Sequence, residues 1–204
     1  MSEIPYELLM KIQQGTMAYR YRGLPLLKNP FDLALYPLLL EAVRPATLIE
    51  IGSYGGGSAV WFAEQQPGMR VVSVDLEPPH GVEHTNVEFL RGDACRLGAT
   101  LTDERMASIA RPLLVIEDSS HVAGTTAAVL DFFDRWLRAG EYIVVEDGIL
   151  TAMCAAATYD GGPLRAIHEF LERTNGRYEI DRSYCDYFGR NVTWNVDGYL
   201  WRVS

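Results

Sequence analysis

Two apolar runs in this chain end alike: PLLVIED at 112–118 and EYIVVED at 141–147. Short runs rich in Leu, Ile and Val read as buried strands of a parallel sheet. Their last residues then reach the carboxyl edge of the sheet, where open α/β sheets bind ligands. Asp118, Glu146 and Asp147 would crowd one crevice there. Carboxylates that close raise one another's pKa unless a cation compensates them. Oxygen donors without a cysteine partner favour a hard ion, so the trio is expected to hold Mg²⁺, with Mn²⁺ or Ca²⁺ as alternatives. Solvated acids that happen to end two strands are the competing reading. Glu117 is expected to face away, since adjacent strand residues alternate sides. His121 follows Asp118 by three residues and is placed to take a proton from an acceptor hydroxyl held on the ion. Alone it would read as a structural loop histidine; its offset from Asp118 makes it the candidate base. His80, His84 and His168 have no comparable setting.

The same edge supplies a second group. The loop EIGSYGGGS at 50–58 departs from a dinucleotide fingerprint, because an acid precedes G-x-x-G-G-G. Glycines let the backbone turn sharply and approach a ligand. A carboxylate at Glu50 would repel a pyrophosphate but can accept from a cationic amino-acid moiety. Gly52, Ser53, Gly56 and Ser58 are the loop candidates, with a purely structural turn as the bland alternative. Asp75 ends the next apolar run and is placed to accept from ribose hydroxyls. Asp93 and Ala94, after a third run, lie where an adenine amino group would be met, although Asp93 alone would read as a helix N-cap. Asp118 belongs to this group as well as to the ion site.

Elements must position these residues. Strands are expected at ATLIEIG, 70–75, 87–90, 112–118 and 141–147, with helices at 33–43, 58–66, around 103–110, 123–138 and 164–174. Pro37 implies a kink or a late start in the first of those helices. Segments 178–186 and 198–203 read as two strands joined without a helix, an antiparallel hairpin on the sheet edge. The expected architecture is α/β: a mostly parallel seven-stranded sheet with a C-terminal antiparallel hairpin and helices on both faces. One domain over 1–204 is expected, with 1–32 as an N-terminal cap or lid, in which Lys28 and Asp32 would sit over the cofactor.

Composition bounds the partners. The 204 residues carry a net charge of −9, 48% hydrophobic and 22% charged residues, the balance of a globular protein. Without a basic run, nucleic acid is an unsuitable substrate, and a small molecule or glycan fits better. No apolar run reaches membrane-spanning length, and the start lacks a secretory pattern, so a cytoplasmic protein is expected. Cys95, Cys154 and Cys185 form no CxxC pair and read as free buried thiols. Apolar segments near both termini are compatible with a homodimer.

The runs YRGLPLLKNPFDLALY, IEIGSYGGGSAVWFA, IEDSSH, GEYIVVEDG and TWNVDGYLWR together resemble the cephalosporin hydroxylase family of metal-dependent S-adenosylmethionine methyltransferases. In its metal site the chain is similar to macrolide-sugar O-methyltransferases and catechol O-methyltransferase. The resemblance implies a Rossmann-like class I methyltransferase that moves the methyl of S-adenosylmethionine to a hydroxyl. It implies metal ligands at Asp118, Glu146 and Asp147, a base at His121, and cofactor contacts at Glu50, Gly52, Ser53, Ser58 and Asp75. A sugar acceptor (glycoside, oligosaccharide or polysaccharide precursor) is expected by the same resemblance, with a phenolic or antibiotic-like molecule second. Aromatic rings at Tyr19, Tyr21, Tyr184, Tyr187, Phe188, Trp194 and Tyr199 would suit either, although core packing explains most of them. Two readings of other classes compete: a nicotinamide-dependent oxidoreductase, which leaves Glu50 and the carboxylate trio without a role, and a non-catalytic cofactor-binding protein.

Overall fold

The computed structural model describes residues 2–204. It opens with helix α1 (Tyr6–Ala18) and a two-stranded hairpin, β1 (Arg20–Tyr21) and β2 (Leu24–Pro25). Helix α2 (Pro30–Val43) leads into β3 (Thr47–Ile51), α3 (Gly57–Gln65), β4 (Arg70–Asp75) and β5 (Val87–Arg91). Then come α4 (Asp103–Ser108), β6 (Leu113–Glu117), α5 (Ala123–Asp134), β7 (Tyr142–Val145), α6 (Gly162–Thr174), β8 (Tyr178–Ile180), α7 (Arg182–Cys185) and β9 (Tyr199–Arg202). The seven-stranded sheet has the order β5-β4-β3-β6-β7-β9-β8. Strands β3 to β7 pair in parallel, whereas β9 runs antiparallel to both β7 and β8.

The sheet is buried on both faces, and strand alternation divides its side chains. Ile49, Ile51, Val115, Ile143 and Val145 pack in a core with Val129, Phe133 and Phe170, from α5 and α6. Leu48, Leu114, Ile116 and Val144 pack on the other face with Tyr36 and Leu39 of α2 and Phe62 of α3. A period of two therefore assigns each polar residue at a strand end to a face. Glu50, Asp118 and Glu146 share parity with the α2/α3 face, and Glu117 with the α5/α6 face.

The helix before β3 starts earlier than its apolar pattern suggests. Asn29 caps it, accepting from the backbone N–H of Phe31 and Asp32, and Pro30 occupies the first turn, where its missing N–H is harmless. Pro37 lies inside without ending the helix. Helices α3, α4 and α5 stop one to four residues short of the expected ends at 66, 110 and 138.

The C-terminal hairpin is real but its first strand is short. Asp181 accepts from Ser183 N and starts α7, so 182–185 is helical where an extended strand was expected. Of the three free cysteines only Cys185 is buried; Cys95 and Cys154 are exposed. Among the described residues no helix is long and apolar enough to cross a membrane. Residues 1–32 are not a featureless cap. Leu9 of α1 packs, with Ile4, against Ile149, Trp194 and Val196, and Pro25 of the hairpin meets the glycine loop.

Candidate active site

The ends of β3, β6 and β7 converge because their ladders continue past the strands. Asp118 N donates to Ile51 O (2.8 Å) and Glu146 N to Glu117 O (2.9 Å). A cleft of about 360 Å³ opens at this edge, lined among others by Ser53, Ser58, Asp118, His121, Asp147 and Trp194. Gly52 and Lys28 also line it; Glu50, Gly56, Asp75, Asp93, Ala94 and Glu146 do not.

The glycine loop is held tightly. Gly52 has φ +104 and lies so close to β6 that a Cβ would stand 1.9 Å from the Asp118 carbonyl oxygen. A Cβ on Gly57 would stand 2.0 Å from the Pro25 carbonyl oxygen. Asp75 accepts from the backbone N–H of Ser53 (2.7 Å) and Tyr54 (3.0 Å) through Oδ2, and from that of Glu77 (2.9 Å) through Oδ1. The residue expected to meet a ribose thus also fastens the loop. Asp93 accepts from Cys95 N and pairs with Arg96 (3.1 Å), which is its N-cap role, and Ala94 begins the turn that it caps. Glu50 is fully buried; Ser73 Oγ donates to its Oε2 (2.5 Å), while its Oε1 has no partner.

The carboxylates divide by strand parity. Lys28, from the segment before α2, places Nζ 2.5 Å from Asp118 Oδ2 and 2.7 Å from Glu146 Oε2. The Tyr36 hydroxyl donates to Glu146 Oε1. Burial alone would lower the Lys28 pKa, but Asp118, Glu146 and Glu50 outweigh it and raise it, so the group is an ammonium. Asp147 has the other parity and a left-handed φ of +59, and it turns into the cleft beside His121, itself at φ +61. Non-glycine residues with such backbones carry local strain and cluster at functional sites. His121 Nδ1 lies 3.2 Å from Asp147 Oδ2, and Tyr159 meets the imidazole ring edge-on with centroids 5.8 Å apart. Burial, reinforced by Asp118 and opposed by His121, pushes the Asp147 carboxyl up to about 6.

The expected ion set therefore differs from the group that is assembled. Both oxygens of Glu146 are engaged by donors, and the ammonium of Lys28 lies between Glu146 and Asp118. An ion shared by Asp118, Glu146 and Asp147 would need the Lys28 ammonium, 2.5 Å from Asp118 Oδ2 and 2.7 Å from Glu146 Oε2, to move aside. A smaller group does come together: donor atoms of Asp118, His121 and Asp147 lie within 4.8 Å of one another.

Lys28 lines the cleft, whereas Asp32 does not. Asp32 is buried, accepting from Trp194 N (3.0 Å), the Tyr199 hydroxyl (3.2 Å) and the Thr193 hydroxyl. It joins α2 to the 193–199 segment. Asn195 extends that network, donating to the Tyr36 hydroxyl (3.2 Å). Of the aromatic residues noted in the sequence, Trp194 lines the cleft, Tyr199 is core, and Tyr187 and Phe188 are exposed elsewhere. Tyr54 and Tyr159 line it instead; Tyr54 stands within the glycine loop at 50–58, whereas Tyr159 is isolated in the sequence and carries no signal there.

Glu117 faces away from the cleft, as alternation requires. Ser119 and Thr126 hydroxyls donate to its Oε1 (2.7 and 3.3 Å), and its buried Oε2 has no partner. Burial pushes its carboxyl from 4.5 up to about 8. Between those values the folded chain keeps a proton that the unfolded chain has released, so stability falls as pH rises through this window. Glu117→Gln is expected to remove that slope. Its melting temperature should exceed that of the wild type at pH 9 by roughly 5 °C and differ little at pH 4.5; parallel melting curves at both pH values would contradict the assignment.

The sheet order and the loop-lined cleft at the ends of β3 and β6 define a Rossmann-like methyltransferase fold. Residues 13–203 match the rhamnosyl O-methyltransferase/CmcI family, and the chain belongs to that family; cephalosporin hydroxylase is an older label for it. It is 28% identical to a rhamnosyl O-methyltransferase of Mycobacterium leprae, over 89% of this chain and 82% of that one. It is 32% identical to 8-demethyl-8-(2-methoxy-alpha-L-rhamnosyl)-tetracenomycin-C 3'-O-methyltransferase of Streptomyces olivaceus, over 54% of this chain and 30% of that one. A solved structure of CmcI with Mg and S-adenosylmethionine superposes with a TM-score of 0.69 at 25% identity, covering 92% of this chain and 78% of that one.

Proposed function

We propose that the chain transfers the methyl group of S-adenosylmethionine to a sugar hydroxyl, on a rhamnoside or related glycoside. The observation that carries this reading is one cleft lined both by the glycine loop and by the His121–Asp147 pair. Asp118 and Asp147 line the cleft beside a single ammonium, Lys28, and acidic side chains there suit a ligand bearing a sulfonium and an amino group. The buried, unpartnered Glu50 Oε1 and the loop residues Gly52, Ser53, Gly56 and Ser58 would hold that ligand. Asp75, Asp93 and Ala94 would border its nucleoside end. Bound there, S-adenosylmethionine supplies an electrophilic methyl group.

The chain's own residues then have to free a nucleophile. Asp147 Oδ2 lies 3.2 Å from Nδ1 of His121, near enough to support an imidazolium and to favour the tautomer that leaves Nε2 as the base for the acceptor hydroxyl. This is the orienting arrangement by which a carboxylate supports an imidazole base. The relatives named for rhamnosyl groups favour a sugar over a phenolic or antibiotic-like acceptor.

A second reading has one observation in its favour, the grouping of Asp118, His121 and Asp147. Mg²⁺, or Mn²⁺ or Ca²⁺, held by these residues would polarise the acceptor oxygen. His121 would then be a ligand and not the base.

Labelled S-adenosylmethionine, offered with rhamnosides, other glycosides and phenols, tests the function. Label is expected in a rhamnoside or related glycoside, together with thermal stabilisation by S-adenosylhomocysteine but not by NAD. Stabilisation by NAD alone would point to an oxidoreductase, and cofactor binding without turnover on any acceptor to a binding protein.

A further inference from the structure

Helix α1 fronts two hollows with neighbouring stripes of side chains. Gln13, Thr16 and Met17, spaced i, i+3 and i+4, line the cleft. Ile12, Gly15, Thr16 and Tyr19, the adjacent stripe, line a groove of about 440 Å³ that Pro30 and Leu33 at the start of α2 close on its other side. The one charged residue in its wall, Lys28, is paired with Asp118 and Glu146. Thr16 and Lys28 line both hollows, so groove and cleft meet there.

Two features of that wall have no structural use. A helical threonine can return its hydroxyl to a carbonyl one turn back, yet Oγ1 of Thr16, a residue only 4% exposed, has no partner. Burying a hydroxyl unpaired is costly, and a ligand oxygen at the junction would remove that cost. Gly15 weakens α1 as any helix-interior glycine does, and nothing lies within 4 Å of a Cβ built on it. No close neighbour requires glycine at this position; its effect is to keep the groove open.

We infer that the groove seats the apolar aglycone of the acceptor, an alkyl or aryl group, while the sugar lies in the cleft and Thr16 Oγ1 meets an oxygen at the glycosidic junction. The inference rests on the glycoside reading given above and adds to it the other half of the substrate. Apolar groups that leave water for such a wall contribute in proportion to the area they bury. The aglycone therefore sets affinity, and the sugar presents the hydroxyl that reacts. An occupant that stopped at the groove would make no use of its opening into the cleft or of the free Thr16 hydroxyl beside it.

The test is equilibrium binding to the full chain supplied with Mg²⁺ and S-adenosylhomocysteine. The ligands are methyl and octyl α-L-rhamnoside, the latter below its micelle-forming concentration. Octyl rhamnoside is expected to bind at least about tenfold more tightly, as the burial of a few methylenes requires. Gly15→Leu, which fills the groove and favours the helix, should collapse that ratio toward unity. Thr16→Val, which keeps the shape and loses Oγ1, should weaken both ligands by roughly three- to tenfold. Equal affinities in wild type, binding of neither rhamnoside, or a ratio that survives Gly15→Leu would overturn the inference, and unchanged binding in Thr16→Val would count against the junction at Thr16. If Gly15→Leu does not fold, Leu33→Gln, on the facing wall, should lower the same ratio. A change of oligomeric state in Gly15→Leu with the ratio unmoved would assign the groove to a second copy of the chain. Labelled S-adenosylmethionine separates the two readings: transfer to neither bound rhamnoside would remove the function proposed above, whereas the binding ratio would still decide the groove.

Discussion

His121→Ala is expected to lower kcat by about 10²–10⁴-fold, the range by which a positioned general base accelerates proton transfer, while S-adenosylhomocysteine binds nearly as before. The separation follows from geometry. His121 lines the cleft but belongs to the loop after β6, whereas the residues proposed to hold the cofactor come from β3, the loop after it and the ends of β4 and β5. The left-handed backbone at His121, φ +61, does not require the imidazole, so alanine costs only the modest strain of that conformation. Asp147→Asn should reduce kcat less, because an amide can still contact Nδ1 but no longer stabilises the imidazolium. The Asp147 carboxyl, pushed up to about 6 by burial and by Asp118, gives the wild type an acidic limit. As pH falls through that value Asp147 takes a proton and ceases to support His121, so the rate should fall too. A kcat for His121→Ala within a factor of about three of wild type would leave the base unassigned.

Much of this site was legible because parallel strands announce their carboxyl ends. The runs LLVIED and YIVVED put Asp118, Glu146 and Asp147 at one edge, and the structure does bring Asp118 and Asp147 into one cleft with His121. Alternation was applied to Glu117, which indeed turns to α5. The same rule extended to Glu146 and Asp147 would have separated those neighbours too, and would have joined Glu146 to Glu50 and Asp118. What alternation alone could not supply is the cation. Lys28 lies 90 residues from Asp118 along the chain, in the segment between β2 and α2, whose place beside the sheet edge is set by tertiary packing. The buried network of Asp32, Tyr36, Thr193, Asn195 and Tyr199 was hidden for the same reason. Each member reads alone as an ordinary polar or aromatic residue, and only the return of 193–199 beneath α2 gives it a partner. The short β8 was obscured by Tyr184 and Cys185, whose apolar character suits a strand, while Asp181 supplies the cap that starts a helix instead.

Gly52→Ala should be the most damaging single methyl in the chain. At φ +104 the residue sits in a backbone region that side chains seldom enter, and its Cβ would stand 1.9 Å from the Asp118 carbonyl oxygen and 2.6 Å from the carbonyl carbon. Neither side can give easily. Gly52 N donates to Val74 O and Asp118 N to Ile51 O, each at 2.8 Å, so separating them means opening β3 from β6 at the middle of the sheet. The loop beyond is clamped by Asp75 on Ser53 and Tyr54, and by Gly57 against Pro25. Overpacking against backbone has no flexible side chain to absorb it, and a loss above ~4 kcal/mol is expected, which for a chain of this size means a melting temperature lower by more than ~8 °C. Gly81→Ala is the control: φ is +72, but nothing lies within 4 Å of the added Cβ, so it reports left-handed strain alone, about 1–2 kcal/mol. If the two variants melted together, the close approach of β3 to Asp118 would not be what requires glycine at position 52. If Gly52→Ala folds at all, it should bind S-adenosylhomocysteine weakly, because the displacement that relieves the clash moves the loop proposed to hold the cofactor and the Asp118 backbone that carries Lys28's partner.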